Sequence, residues 1–359
     1  MNKIITITNA RPDLLRQCLI IKQLDNLIGP DHLHIYTGQN YDNNLYQIFL
    51  KDLNLRKPNY EFNLNEKLFG VEFLGRCAIN IEKILNNFNP NHTLINILGD
   101  VNGSFISTYI ASQMGFKVIH NESGNRSGRN IIEEINRKSI DSMSHKLLCY
   151  TQRSRENLLR EGYNPNKIIV CGNPLIEVLK EYFNKNILKT IHGKYIVVTL
   201  HRHETINSFE RLIKITNALK ILAEEYKVIF CLHPSLKDKM SKNKNIENLF
   251  IHKNIELVDS LNYTTFLNLM YYSSIILSDS GGECEEAAIL KIPCLVLREE
   301  TERTELLEQS QMILCGIETE DIIRNSKIIR QIPISGIPEE YNKPTSSIVI
   351  KILLGSNEN

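Results

Sequence analysis

The stretch Ser278-Asp279-Ser280-Gly281-Gly282-Glu283-Cys284-Glu285-Glu286 follows an apolar run, SIILS, and opens a helical pattern. A Ser-Gly-Gly turn at a helix start offers backbone N–H groups and the positive end of the helix dipole, a setting suited to phosphate. The glycines Gly281 and Gly282 let an anion approach the backbone without meeting a Cβ. Glu286, read as lying on the first turn, would reach ribose hydroxyls beside a diphosphate. The same residues also suit a plain strand-to-helix turn with acids favoured by the dipole. A second stretch, Thr199-Leu200-His201-Arg202-His203-Glu204, directly follows another apolar run. Imidazoles, a guanidinium and a carboxylate at the carboxyl end of a strand stand where doubly wound folds bind ligands. Its His-x-His-Glu spacing does not match a helical HExxH, and no third ligand cluster lies near it in sequence, so a metal site is not expected.

Three further positions fall at strand ends. Asp100 closes TLINILGD and could serve either as an acid in a cleft or as a helix cap. Glu122 ends KVIHNE, and Glu133 opens the next helix. Two carboxylates brought to one crevice would suit proton transfer at opposite faces of a sugar carbon. Arg11 follows the first strand, where its guanidinium would pair a diphosphate bidentately. Arg16, within the next helix, reads as solvated.

These residues need strands and helices in alternation, and the chain supplies them. Short β-branched runs predict strands at Ile4–Thr8, His34–Thr37, Thr93–Leu98, Lys117–His120, Lys146–Tyr150 and Lys167–Cys171. Helical patterns fall between them at Asp13–Leu27, Val71–Phe88, Phe105–Met114, Ile131–Met143 and Arg153–Glu161. A polar stretch, 182–194, reads as a linker. The pattern then restarts with strands at Tyr195–Leu200, Lys227–Leu232, Ile275–Ser278 and Pro293–Leu297, separated by helices at Phe209–Glu225, Thr265–Tyr271 and Glu283–Leu290. Repeated βα alternation predicts α/β architecture: two Rossmann-like doubly wound domains, 1–181 and 182–344, with a cleft between them. A tail from Gly355 reads as disordered.

The 359-residue length suits two domains. Lys+Arg 42 against Asp+Glu 41 gives a net charge of +1, so no global field recruits nucleic acid or an acidic membrane. No run approaches a membrane span, and the start lacks a signal-like apolar segment. Eight cysteines without a CxxC pair read as buried thiols in a reducing, cytoplasmic setting.

SDSGGxxEEA, the TER of Thr301-Glu302-Arg303, TxHRxE, Gly99-Asp100, HxExGxR, EExNR and CGNPLIE occur together and span most of the chain from Arg11 to Glu305. Together they resemble the non-hydrolysing UDP-N-acetylglucosamine 2-epimerases, including the branch acting on other UDP-2-acetamido sugars. The resemblance implies a glycosyltransferase-B-like fold in which a helix near 345–355 crosses back to the first domain. It implies a reaction without metal or other cofactor. A base takes the C2 proton while UDP leaves C1, and UDP then adds back to the 2-acetamidoglucal as a proton reaches the other face of C2. By motif, Asp100, Glu122, Glu133 and His201 are implied as acid/base and activating residues, with the base unassigned. Arg11, Ser280, Gly281, Gly282, Glu286 and Arg303 are implied as UDP contacts. A homodimer is the family expectation. Departures include Asn9-Ala10 where the family has Gly-Thr, Ser123, and a short loop before Glu133. Gln39-Asn40-Tyr41 replaces the family's allosteric Gln-His-Arg, so activation by substrate is not expected. A hydrolysing epimerase, a glycosyltransferase of the same fold and a non-catalytic sugar-nucleotide sensor remain alternatives.

Overall fold

A computed structural model describes residues 3–38, 43–62, 70–128, 131–183, 194–333 and 336–355. Most of the expected linker, the tail beyond Gly355 and Gln39-Asn40-Tyr41 lie outside these residues. The chain divides into two compact units, Met1–Glu181 with Glu339–Asn359, and Tyr182–Pro338.

In the first unit the elements run β1 (Lys3–Thr8), α1 (Arg11–Ile28), β2 (His32–Tyr36), α2 (Asn43–Asp52), β3 (Tyr60–Glu61), α3 (Gly70–Leu85), β4 (Thr93–Leu98), α4 (Asn102–Gln113), β5 (Lys117–Asn121), α5 (Ile132–Met143), β6 (Lys146–Cys149), α6 (Gln152–Arg160), β7 (Ile168–Val170) and α7 (Leu175–Tyr182). The parallel sheet has the order β3-β2-β1-β4-β5-β6-β7. Strand order reverses between β1 and β4, which are paired from Lys3↔Thr93 to Ile7↔Ile97. The two faces of this sheet differ, as the two-residue strand period allows. Ile5, Ile7, Ile35, Ile95 and Ile97 form a core with Phe73, Cys77, Ile81 and Leu85 of α3. Thr6 and Asn96 belong to a buried polar ladder. Thr6 Oγ1 meets His32 Nε2 at 3.0 Å. Asn96 donates to Thr6 Oγ1 and to Gln17 Oε1 of α1, and accepts from Asn121 Nδ2 at 2.7 Å. The ladder is tolerable in the interior because most of its polar atoms find partners within it.

The second unit contains β8 (Tyr195–Leu200), α8 (His203–Ile206), α9 (Phe209–Leu222), β9 (Lys227–Leu232), α10 (Pro234–Lys242), α11 (Lys244–Leu249), β10 (Ile255–Val258), α12 (Tyr263–Tyr271), β11 (Ile276–Ser278), α13 (Gly281–Leu290), β12 (Cys294–Val296), α14 (Thr304–Gln309), β13 (Met312–Leu314) and α15 (Thr319–Ile328). Its parallel sheet runs β10-β9-β8-β11-β12-β13, reversing between β8 and β11. Ile196, Val198, Leu200, Val228, Phe230 and Leu277 meet Leu212, Ile215 and Leu219 of α9 in its core.

The segment from Glu339 belongs to the first unit and ends in α16 (Thr345–Leu353), which packs on α1. Thr345 Oγ1 donates to Cys171 O at 3.0 Å, Lys343 Nζ to Val170 O at 2.9 Å, and Ser346 N to Glu177 Oε2 at 2.9 Å. Gly172, at φ +89°, permits this docking, since a Cβ there would stand 2.5 Å from Glu340 O. All eight cysteines are buried free thiols. No described helix is long and apolar enough to cross a membrane.

Candidate active site

The nominated residues of the first unit lie just past the carboxyl ends of β1, β4 and β5, beside the strand-order reversal where ligands bind in such sheets. Helix α1 begins at Arg11 with Pro12 in its first turn, but its N-cap, Ala10, has no capping side chain. Asp13 does that work from the third helical position, its Oδ2 accepting from Asn9 N and Asn9 Nδ2 at 3.0 Å each and from Ala10 N at 3.4 Å. Asn9 Nδ2 also donates to Ser104 Oγ at 2.8 Å, Thr37 Oγ1 donates to Asn9 Oδ1 at 2.9 Å, and Ser104 Oγ donates to Leu98 O at 2.7 Å. The loop holding Arg11 is thus tied to the turn holding Asp100. This close packing requires Gly103, whose Cβ would stand 2.3 Å from Asn9 Oδ1. Burial pushes the Asp13 carboxyl up to about 7 against the lowering pull of the Asn9 donors, and the charge of Glu122 adds to the rise.

Asp100 forms an ion pair with Arg137 of α5, whose Nε lies 3.1 Å from Oδ2. Arg137 Nη1 also donates to Glu134 Oε2 at 3.0 Å, and Asn136 Nδ2 donates to the Asp100 carbonyl at 2.9 Å. Burial works against the charge of Glu134, but the Ser127 donors and Arg137 hold its carboxyl below the usual range. Glu133, one residue earlier, faces solvent. Glu122 has φ +70°, an unusual backbone for a residue with a side chain. Arg11 stacks its guanidinium 5.1 Å from the Phe49 ring centre.

In the second unit the nominated residues again fall at the reversal, after β8 and β11. Asp279 is the hub. Its Oδ1 lies 3.0 Å from His201 Nδ1 and accepts from His201 N at 2.9 Å, while Oδ2 accepts from Arg202 N at 3.1 Å. Partial desolvation opposes the charge on His201, whose side chain is still 38% exposed, but the hydrogen bond and charge of Asp279, with Glu283 beyond, outweigh it and raise its pKa. Burial likewise opposes the Asp279 charge, yet His201 and the two backbone donors lower its pKa. Ser280 caps α13, its Oγ accepting from Glu283 N at 3.3 Å. Glu283 turns back to accept from Ser278 Oγ at 2.7 Å and from Thr199 Oγ1. Gly281 is fitted against Glu302, whose Oε1 would lie 2.8 Å from an added Cβ. Burial would raise Glu302, but Arg298, Arg303 and Arg202 together take it down to about 2. Glu286 accepts from Tyr263 OH at 2.9 Å, and buried Arg303 contacts Glu285 Oε1 at 2.6 Å.

The His201–Asp279 pair gives a pH prediction. Asp279, depressed from the usual 3.8, stabilises the fold above that value and loses its contribution as pH falls through its folded pKa. His201, raised from the usual 6.5, stabilises below that value and loses its contribution as pH rises through its folded pKa. The pair therefore contributes most between about 4 and 6.5. Asp279→Asn should lower the melting temperature most at pH 5–6 and progressively less toward pH 9. A decrement constant over that range would show that the imidazole does not respond to Asp279.

Several expectations need correction. Helix α13 begins at Gly281, so Glu286 lies on the second turn and Glu283 is the first-turn acid. Arg16 is buried, not solvated. Asp100 is not the cap of α4, which is Val101. The structure brings Asp100 and Glu122 to one edge with Arg11, holds His201 among the Asp279 and Glu283 carboxylates, and leaves Glu133 exposed. Sequence reasoning did not nominate Asp13, Arg137, Asp141 or Asp279. Asp279 follows its strand immediately, and Asp13 stands at the third position of a helix lacking a capping side chain, so both carried a usable signal. Among the described residues no His/Cys/Asp/Glu group is placed to hold a metal ion.

Comparison with known proteins places this geometry. The chain is 34% identical over 343 residues to a UDP-N-acetylglucosamine 2-epimerase of Methanocaldococcus jannaschii, covering 91% of this chain and 92% of that one. It is 28% identical over 333 residues to a UDP-2,3-diacetamido-2,3-dideoxy-D-glucuronate 2-epimerase of Pseudomonas aeruginosa, covering 90% and 91%. A crystal structure of M. jannaschii UDP-GlcNAc 2-epimerase in complex with UDP-GlcNAc and UDP superimposes with a TM-score of 0.89 at 32% identity, covering 99% of this chain and 100% of that one. The family model for UDP-N-acetylglucosamine 2-epimerase matches residues 23–354, and the chain belongs to that family.

Proposed function

We propose that the chain inverts a UDP-2-acetamido sugar at C2, with UDP-N-acetylglucosamine as the first candidate substrate. The observation that carries the reading is the cluster of Asp13, Asp100 and Glu122 at the strand-order reversal of a chain belonging to this family. A C–H bond beside an acetamido group is weakly acidic, so its proton needs a placed carboxylate base. The C–H electron pair forms the C1–C2 double bond as the C1–O bond breaks, and UDP leaves with that bond's electrons. The return step forms the C1–O bond again as an acid delivers a proton to the opposite face of C2. In this reading Asp100, Glu122 and Glu133 are the proton-handling candidates, with His201 as the activating group. Arg11 and the Ser280-Gly281-Gly282 turn hold the diphosphate, Glu286 the ribose, and Arg303, paired with Glu285, is the remaining UDP contact. Glu133 is the weakest member, since the structure leaves it in solvent.

The named activity of the Pseudomonas relative supports a 2,3-diacetamido uronate as the second candidate sugar. Buried free thiols support a reducing, cytoplasmic setting. A homodimer is the proposed assembly. The neighbouring helices α3, α4 and α5 expose Ile79, Tyr109, Ile132 and Ile135, apolar area that a second copy would cover. Light scattering should return twice the 41.4 kDa chain mass, and the mass of one chain would overturn the dimer.

The testing experiment is NMR of the protein with UDP-GlcNAc in D2O. Deuterium at C2 together with UDP-ManNAc is the expected outcome. Free UDP with a released sugar would replace it by the hydrolysing reaction. No exchange with UDP-GlcNAc or with the diacetamido uronate would overturn the proposal.

A further inference from the structure

We propose that His120 is a positioning residue for this reaction: a buried imidazole, held between the Asp141 carboxyl and the Gly99 carbonyl, that fixes the turns carrying Asp100 and Glu122. The inference rests on the reading of those two residues as the proton-handling pair.

His120 is the fourth residue of β5 and fully buried. Its Nε2 lies 3.0 Å from Gly99 O, and its Nδ1 lies 2.7 Å from Asp141 Oδ1. A carbonyl oxygen can only accept, so Nε2 carries hydrogen. Asp141 Oδ2 accepts from Gly124 N at 3.2 Å and from Arg126 Nη2 at 2.9 Å, so the carboxyl that meets Nδ1 is itself anchored. Burial pushes the Asp141 carboxyl up, but His120 and Arg126 hold it below the usual range.

The surrounding groups hold Asp141 in place. Arg126 pairs with both Asp141 and Glu161 at the end of α6, at 2.9 and 2.6 Å. The Cys149 thiol on β6 is pushed up by burial and by Asp141. On the Gly99 side stand Asp100 with its partner Arg137, and the Asp13 carboxyl, whose Oδ1 would lie 3.6 Å from a Gly99 Cβ.

One side chain thus reaches both turns. Nε2 grips the carbonyl just before Asp100, while Asp141 grips the amide two residues after Glu122. The Glu122 loop needs such a hold, because positive φ on a residue with a side chain is strained and persists only where its surroundings enforce it. Further bonds close the loop, from Ser123 Oγ to His120 O at 2.7 Å and from Ser123 N to Leu148 O at 3.0 Å. Gly124 completes it, at φ +77° and packed so that a Cβ would stand 2.2 Å from Ser154 O.

The test has two readouts on the full-length protein. The first is long-range proton–nitrogen NMR with nitrogen-15 histidine, assigned through the backbone, from pH 6 to 8. Nε2 should carry hydrogen throughout, as its bond to the Gly99 carbonyl requires, and a bare Nε2 would overturn the proposal. The second is His120→Gln. A misplacement of reacting groups on the ångström scale costs about 100-fold, so kcat and C2 deuterium exchange should fall by about that factor while UDP affinity by calorimetry is unchanged. Wild-type kcat in a folded variant would also overturn it. If the variant does not fold, the ring signature of the native protein decides. That signature is read without turnover, so loss of the catalytic reading through fully active Asp100→Asn and Glu122→Gln variants would be separately visible.

Discussion

Glu122→Gln and Asp100→Asn should each lower turnover by about 10²–10⁴-fold, the range that a placed acid or base supplies, while UDP still binds. Both changes keep shape while removing a charge and the capacity to exchange a proton. Asp100 is tied to Arg137 and, through its backbone, to Asn136, so the amide retains a place to sit. Glu122 contacts Asn125 Nδ2 at 3.4 Å, a place that the side chain of Gln can also occupy. The measurement is kcat and C2 deuterium exchange for each variant beside UDP affinity by calorimetry. Loss of exchange with retained affinity assigns the carboxylates to the chemical step. Unchanged turnover in both variants would remove them from it. Glu122→Gln should also lower the pKa of Asp13, because the Glu122 charge is one of the causes that raise it.

Arg303→Met should destabilise the fold by about 3–5 kcal/mol, the usual cost of breaking a buried ion pair by removing one member. Arg303 is 4% exposed and the Glu285 side chain is fully buried, so water cannot replace the guanidinium. The cost belongs to the buried carboxylate that loses this partner rather than to the lost attraction. Arg303→Met combined with Glu285→Gln should therefore recover a large part of it. Urea unfolding of the single and double variants reads this directly. A single variant within 1 kcal/mol of wild type, or a double variant no better than the single, would show that Glu285 keeps its solvation by another route.

Much of the fold was legible because parallel strands buried on both faces are short apolar runs set between long amphipathic patterns. Thr93–Leu98, Tyr195–Leu200 and Lys227–Leu232 fall where the sequence puts them. Weaker elements escaped notice: β3 has only two residues, and β10, with Glu256 and Leu257 exposed at the sheet edge, has no apolar run to announce it. The strand ends carrying Asp100, Glu122, His201 and Ser280 could be found because position after a strand is itself a signal. Arg137 and Asp141 lie on helix α5, where a charged residue reads as solvated by default. Only the fold shows that they turn inward and bond to the loops. The polar ladder through Thr6, His32 and Asn96 was equally hidden, since mutual satisfaction of buried polar groups is a property of pairs that sequence spacing does not reveal.

The docking of Glu339–Leu353 on the first unit has a consequence for the order of synthesis. Ribosomes deliver β1 to β7 well before they deliver β8 to β13, and the residues that close the first unit come only after both sets. Until then the carbonyls of Val170 and Cys171 and the carboxylate of Glu177 lack their donors, and α1 lacks the cover of α16. The second unit has no such debt, because its strands and helices are contiguous in the chain. It can reach its final packing while the older half of the nascent polypeptide is still incomplete. The half made first is therefore the half finished last, and its final contacts span more than 160 residues of sequence, as between Glu177 and Ser346.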